Sequence, residues 1–216
     1  MITAFTRFDI TSFATTQARR ALVPLAFVVV FGAVIPVPGL AIVVGAVIAA
    51  VSVSYPFQGD ERGQLDTLYA NTLVRRRDVV VGRFLTVLAF AAAAVALGVL
   101  VSLVTAAVRH ETMAWSTVGT LLLVAFGVTV ACVAVQLPWF FALGYTRARP
   151  MLYIPVAVLA VGSWLAGQTG LLDGATSVTI GGGPSPVVVV AVLVGGVVVL
   201  VASALVSTRL YERREL

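Results

Sequence analysis

One histidine (His110), one cysteine (Cys132) and no lysine occur in the 216 residues, and these counts close off most enzymatic chemistry. A phosphate-binding P-loop sets a lysine after its glycines to reach the phosphates, so a chain without lysine cannot build one. Serine proteolysis inside a membrane needs a serine and a histidine to meet there. Ser163 follows Gly162 in an apolar run, but His110 falls in a turn between two other runs. Metal-assisted hydrolysis needs clustered His, Cys, Asp or Glu, and the sequence offers no such cluster. The expectation is a non-catalytic chain with no cofactor or metal of its own. A lone cysteine also forbids an intrachain disulfide.

The charges that remain concentrate between Gln58 and Arg83, which hold five of the fourteen arginines and four of the nine acids. Leu65, Leu68, Tyr69, Thr72 and Leu73 recur at i, i+3, i+4, i+7 and i+8, which predicts a short helix over 60–73 with one apolar face. Asp60 and Glu61 stand at its start, where acids complement the helix dipole, and Asp66 lies within it. Arg75, Arg76 and Arg77 follow, anchors for a membrane surface, and Asp78 leads into the next apolar run. A helix this short needs something to pack on. A partner or the membrane surface would serve; the alternative is a solvated loop.

The elements that carry this segment are apolar. Hydrophobic residues make up 60% of the chain, charged ones only 11%, and the mean hydropathy is +1.08. Soluble domains average about 25% charged residues. The apolar blocks run about 17 to 25 residues, the length a helix needs to cross a bilayer core. Spans are expected near 21–35, with Pro24 in the first turn, and 40–57, ended by Tyr55 and Pro56. Further spans follow near 79–108, 115–141 with a kink at Pro138, 151–166, and 187–206. The third is about 45 Å long as a helix, so its first turns with Arg83 should project beyond the core. Within it Ala89, Ala92, Ala93 and Ala96 form a small-residue face that permits close helix contact. External turns are expected at 36–39 and 109–111, and a longer external loop at 168–186.

Thirteen arginines fall on one side of this arrangement and only Arg109 on the other. By the positive-inside rule both termini are cytoplasmic. The same distribution argues against nucleic acid as the partner of a chain with net charge +5. Residues 1–20 carry Phe5, Phe8, Ile10 and Phe13 and close on Arg19 and Arg20, which suits an interfacial helix touching membrane lipid. No apolar stretch precedes Ala21, so a cleavable signal peptide is not expected. No charge falls at the centre of a span, which argues against ion-coupled transport. The polar marks of any path would be Ser52, Ser54, Thr105, Thr129, Gln136 and Ser163; ordinary helix–helix hydrogen bonding is the plainer reading.

The run Arg76, Arg77, Asp78, Gly82, Arg83 and Phe84, after Glu61 and Leu68, resembles the segment following the second span in permeases of ABC-2 type transporters, the type V exporters. Leu73 stands where that pattern has a proline, and Arg75 where it has a serine. The resemblance implies an all-α polytopic membrane protein with six transmembrane helices. It also implies an N-terminal connecting helix over 1–20 and a transmembrane domain over 21–216 with a cytosolic coupling loop at 58–78. Glu61, Leu65, Asp66, Leu68, Tyr69 and Leu73 would then face a separate ABC ATPase, which holds ATP and Mg. A second permease subunit would complete the pathway, in a bacterial cell membrane, for export of a hydrophobic or amphipathic peptide, drug or lipid. The alternative is a non-catalytic membrane scaffold that holds a cytosolic partner.

Overall fold

The computed structural model describes residues 11, 18–35, 37–63, 76–168 and 183–213. Among these the chain is helical throughout its elements, with no strand. In order they are α1 (Ala18–Val34), α2 (Leu40–Ser52), α3 (Ser54–Gly63), α4 (Arg76–Val108) and α5 (Trp115–Ala148). A 3₁₀ turn (Arg149–Leu152), α6 (Ile154–Gln168) and α7 (Pro186–Glu212) complete the series. Four helical stretches are long and apolar enough to cross a membrane: Leu40–Glu61, Arg76–Val108, Trp115–Gly162 and Pro186–Glu212. The third of these takes in α5, the 3₁₀ turn and much of α6. A shorter apolar helix covers Leu22–Val34. Valine and leucine side chains along α7 and α6 face outward, a surface suited to hydrocarbon.

α2 packs against α1, α4 and α5, and α7 lies along α5. Small residues set the α2–α4 contact. A Cβ at Gly45 would stand 2.6 Å from the Ala94 carbonyl oxygen, and one at Gly98 would strike the Ala41 carbonyl. Each helix therefore presents a glycine to the other's backbone, the close approach that binds helices in lipid through van der Waals contact. Ala41, Ala49, Ala91 and Ala94 are buried beside these glycines. The small face expected on α4 is a different one: Ala89, Ala92, Ala93 and Ala96 are exposed. α4 is apolar all round, so no moment marks which alanines face inward.

Prolines also behave differently from expectation. Pro24 lies inside α1, which already begins at Ala18. Pro56 does not end the second span: α3 starts at Ser54, and Pro56 falls in its first turn, where a missing N–H is harmless. Helix thus continues from Leu40 to Gly63 with one turn residue, Val53, between α2 and α3. Pro138 is accommodated within α5, and the non-helical residue is Gly144, at φ 75° and ψ 174°. α5 runs on past the expected end of its span at 141 to Ala148, and the 3₁₀ segment begins at Arg149. α4 begins at Arg76, which puts Arg76, Arg77 and Asp78 on that helix. The proposed interfacial helix falls almost wholly outside the described residues, though Arg19 and Arg20 are part of α1. Most of the 168–186 loop lies outside them as well.

Candidate functional site

The helix succession and the cross-helix contacts gather the end of α3, the start of α4, the end of α5 and the end of α7 at one end of the bundle. Its core is aromatic and aliphatic, with Phe57, Val80, Phe84, Leu137, Phe140, Phe141 and Tyr211 buried together. Phe57 stacks on Phe140 with ring centroids 5.0 Å apart and meets Phe141 edge-on at 5.1 Å. Phe141 in turn meets Tyr211 of α7 at 5.4 Å.

An ion pair is set into this core. Arg83 of α4 donates to the Asp60 carboxylate of α3, with the two residues only 2% and 9% exposed. The guanidinium also lies over the Phe57 ring, 5.5 Å from its centroid. Arg83 therefore packs into the protein interior at this end of the bundle. Asp60 sits in the second turn of α3 and not at a helix start. A buried pair of this kind is costly to desolvate, and it persists because each charge meets the other at hydrogen-bonding range.

A second set of bonds ties α3 to α5 just beyond Gly144. The Glu61 carboxylate accepts from the Thr146 amide at 3.0 Å and from the Thr146 hydroxyl at 2.6 Å. Gln58, one turn earlier on α3, donates to the Tyr145 hydroxyl at 2.9 Å. Arg149 lies over the Tyr145 ring at 4.8 Å. On the other side, Arg76 donates to the carbonyls of Tyr211 and Glu212, both at 2.9 Å, capping the C-terminal end of α7. Helix C-termini leave carbonyls unpaired, and a cation there also suits the dipole. Arg109 does the same at the opposite end of the bundle, donating to Ala33 of α1 at 2.8 Å.

Of the residues expected to grip a partner, Glu61 is exposed and makes the Thr146 bonds. Leu65, Asp66, Leu68, Tyr69, Leu73 and Arg75 lie outside the described residues. Arg77 is exposed, while Arg76 serves α7. Among the candidate path residues, Ser52 donates to Ile48 at 2.7 Å and Ser54 to Val51 at 3.4 Å, both within the local backbone. Gln136 is fully buried and donates to the Leu152 carbonyl at 3.1 Å, tying α5 to the 3₁₀ turn. Thr105 bonds back to Val101 at 2.8 Å, and Ser163 belongs to α6. Asp60, Gln58, Tyr145 and Thr146 were not singled out from the sequence as a group. The available signal was an acid just past one apolar run and a base just inside the next, on either side of one charged segment.

The sequence model of one family, described as ABC-2 family transporter protein, matches residues 13–212. Comparison with curated proteins and with solved structures gives no match. The matched span takes in every helix from α1 to α7, and the chain belongs to the ABC-2 transporter family as a multi-pass membrane protein.

Proposed function

We propose that the chain is the permease subunit of an ATP-binding cassette exporter, driven by a separate ATPase subunit that binds ATP and Mg. The family match over 13–212 is the observation that carries this reading. The absence of lysine adds that a P-loop cannot come from this chain. In the proposed arrangement α1, α2 with α3, α4, α5, α6 and α7 make six crossings, and the arginine-rich end faces the cytoplasm of a bacterial cell. Two such subunits pair to form the pathway. The cargo is hydrophobic or amphipathic, a peptide, drug or lipid, because the spans carry no central charge to meet an ion.

The contact with the ATPase is assigned to the segment between α3 and α4, with the apolar face of Leu65, Leu68, Tyr69 and Leu73 as its core and Asp66 beside it. Support comes from the helices on either side. α3 is bonded to α4 through Asp60 and to α5 through Glu61, so a push on the intervening segment would meet a braced support. Arg19, Arg20, Arg75 and Arg77 are assigned to the anionic membrane surface.

Leu68→Asp together with Tyr69→Asp should release the ATPase in detergent pull-downs of the co-expressed complex. If the ATPase stays bound with undiminished turnover, the coupling assignment is wrong. A wild-type complex whose ATP turnover is indifferent to the permease would favour a scaffold role.

A further inference from the structure

Asp60 and Glu61 are adjacent acids with different partners. Asp60 turns into the core to Arg83, whereas Glu61 reaches across to Thr146, two residues past the Gly144 break. Gly144 has a φ and ψ that side-chain-bearing residues scarcely adopt. The break ends one helical segment and starts another. The first amides of the new segment have no acceptor within it. The Glu61 carboxylate takes one of those amides, that of Thr146, and the Thr146 hydroxyl as well. The residue just before, Tyr145, is held by Gln58, one turn away on the same face of α3. Beyond the break the chain passes through the 3₁₀ turn into α6, whose described contacts are chiefly with α5 and that turn.

We infer that Glu61 is a positioning residue whose carboxylate holds the Gly144 break of α5, so that movement of α3 is delivered to the segment leading into α6. Asp60 keeps α3 attached to α4, and Glu61 gives it a second, solvent-facing attachment to α5. The neighbouring acids thus divide the support of α3 between two helices. The inference rests on the permease reading above, in which force enters through the segment that follows α3.

The test uses the full permease–ATPase complex in lipid nanodiscs, with Cys132→Ala and a reporter Trp164→Cys on the exposed face of α6. The readout is the rate of N-ethylmaleimide labelling, without nucleotide and with ATP plus vanadate. With Glu61 intact the two rates should differ. Glu61→Ala should abolish the difference while the ATPase remains bound. Glu61→Gln should preserve it, since its amide oxygen can accept from the Thr146 N–H and its NH₂ can donate to the hydroxyl. Thr146→Val should weaken the difference, and it takes the place of Glu61→Ala if that variant does not yield folded complex. An undiminished difference in Glu61→Ala, or in Thr146→Val where it stands in, overturns the inference, as does loss of the ATPase on Glu61→Ala. So does a wild-type complex that captures the ATPase yet shows no nucleotide dependence. A wild-type chain that captures no ATPase overturns the permease reading itself.

Discussion

Arg83 and Asp60, 23 residues apart in sequence, meet as an ion pair within the core, with the Phe57 ring beneath the guanidinium. The pair joins the helices on either side of the charged segment.

Removing one member should be far worse than removing both. Asp60→Ala leaves a buried guanidinium without its carboxylate, at a cost of about 3–5 kcal/mol. Asp60→Leu combined with Arg83→Met replaces the pair by apolar groups and should recover most of that loss. Thermal unfolding of the detergent-solubilised protein, followed by size-exclusion fluorescence, reads both. Equal destabilisation by the single and double variants would show that the pair is not the source of the effect.

The α2–α4 contact predicts a position-specific intolerance of bulk. Gly98→Val drives a side chain into the Ala41 carbonyl and should cost at least ~1–3 kcal/mol. Gly195→Val, on α7 with open space around its Cβ position, is the control and should change stability little. Comparable melting shifts in the two variants would contradict backbone-to-backbone packing at Gly98.

Gly144 should resist even the smallest side chain. Gly144→Ala places a Cβ on a backbone at φ 75° and should cost roughly 1–3 kcal/mol. Gly127→Ala on the same helix meets nothing within 4 Å and should be neutral or stabilising by about 0.5–1 kcal/mol. Differential scanning fluorimetry of the two purified variants distinguishes these outcomes. A stable Gly144→Ala protein would mean that α5 can run straight through this position.

What the sequence made legible follows from what a bilayer demands of it. Apolar blocks announce helices because every backbone group in hydrocarbon must be bonded internally, and the helices stand near the expected blocks. The run from Arg76 to Phe84, with its spacing of charge and glycine, was enough to suggest the ABC-2 family. Facing was not legible. Ala92 and Ala94 are the same residue on the same helix, one exposed and one buried, and lipid and core reward them alike. Pro56 showed the limit of reading proline as a stop, since its effect depends on where the helix begins. The Asp60–Arg83 pair was hidden for another reason. An acid near a helix start has a sufficient local explanation, and only the tertiary arrangement shows that it is used elsewhere. Glu61 drew notice as an acid of the charged segment, but nothing in the sequence ties it to Thr146.

The glycine contact between α2 and α4 also bears on how the molecule is made. α2 enters the bilayer well before the ribosome has delivered Gly98, and must wait there without its mate. It can do so safely, because the face it will later bury is built from Ala41, Gly45, Ala46 and Ala49, and its polar member, Ser52, already donates to the Ile48 carbonyl within α2. Gln136 on α5 is the opposite case, a polar group that lipid does penalise, and its acceptor at Leu152 arrives only 16 residues later. Nascent-chain order and partner distance are thus matched: the helix with the long wait is inert, and the polar side chain has its acceptor close behind it.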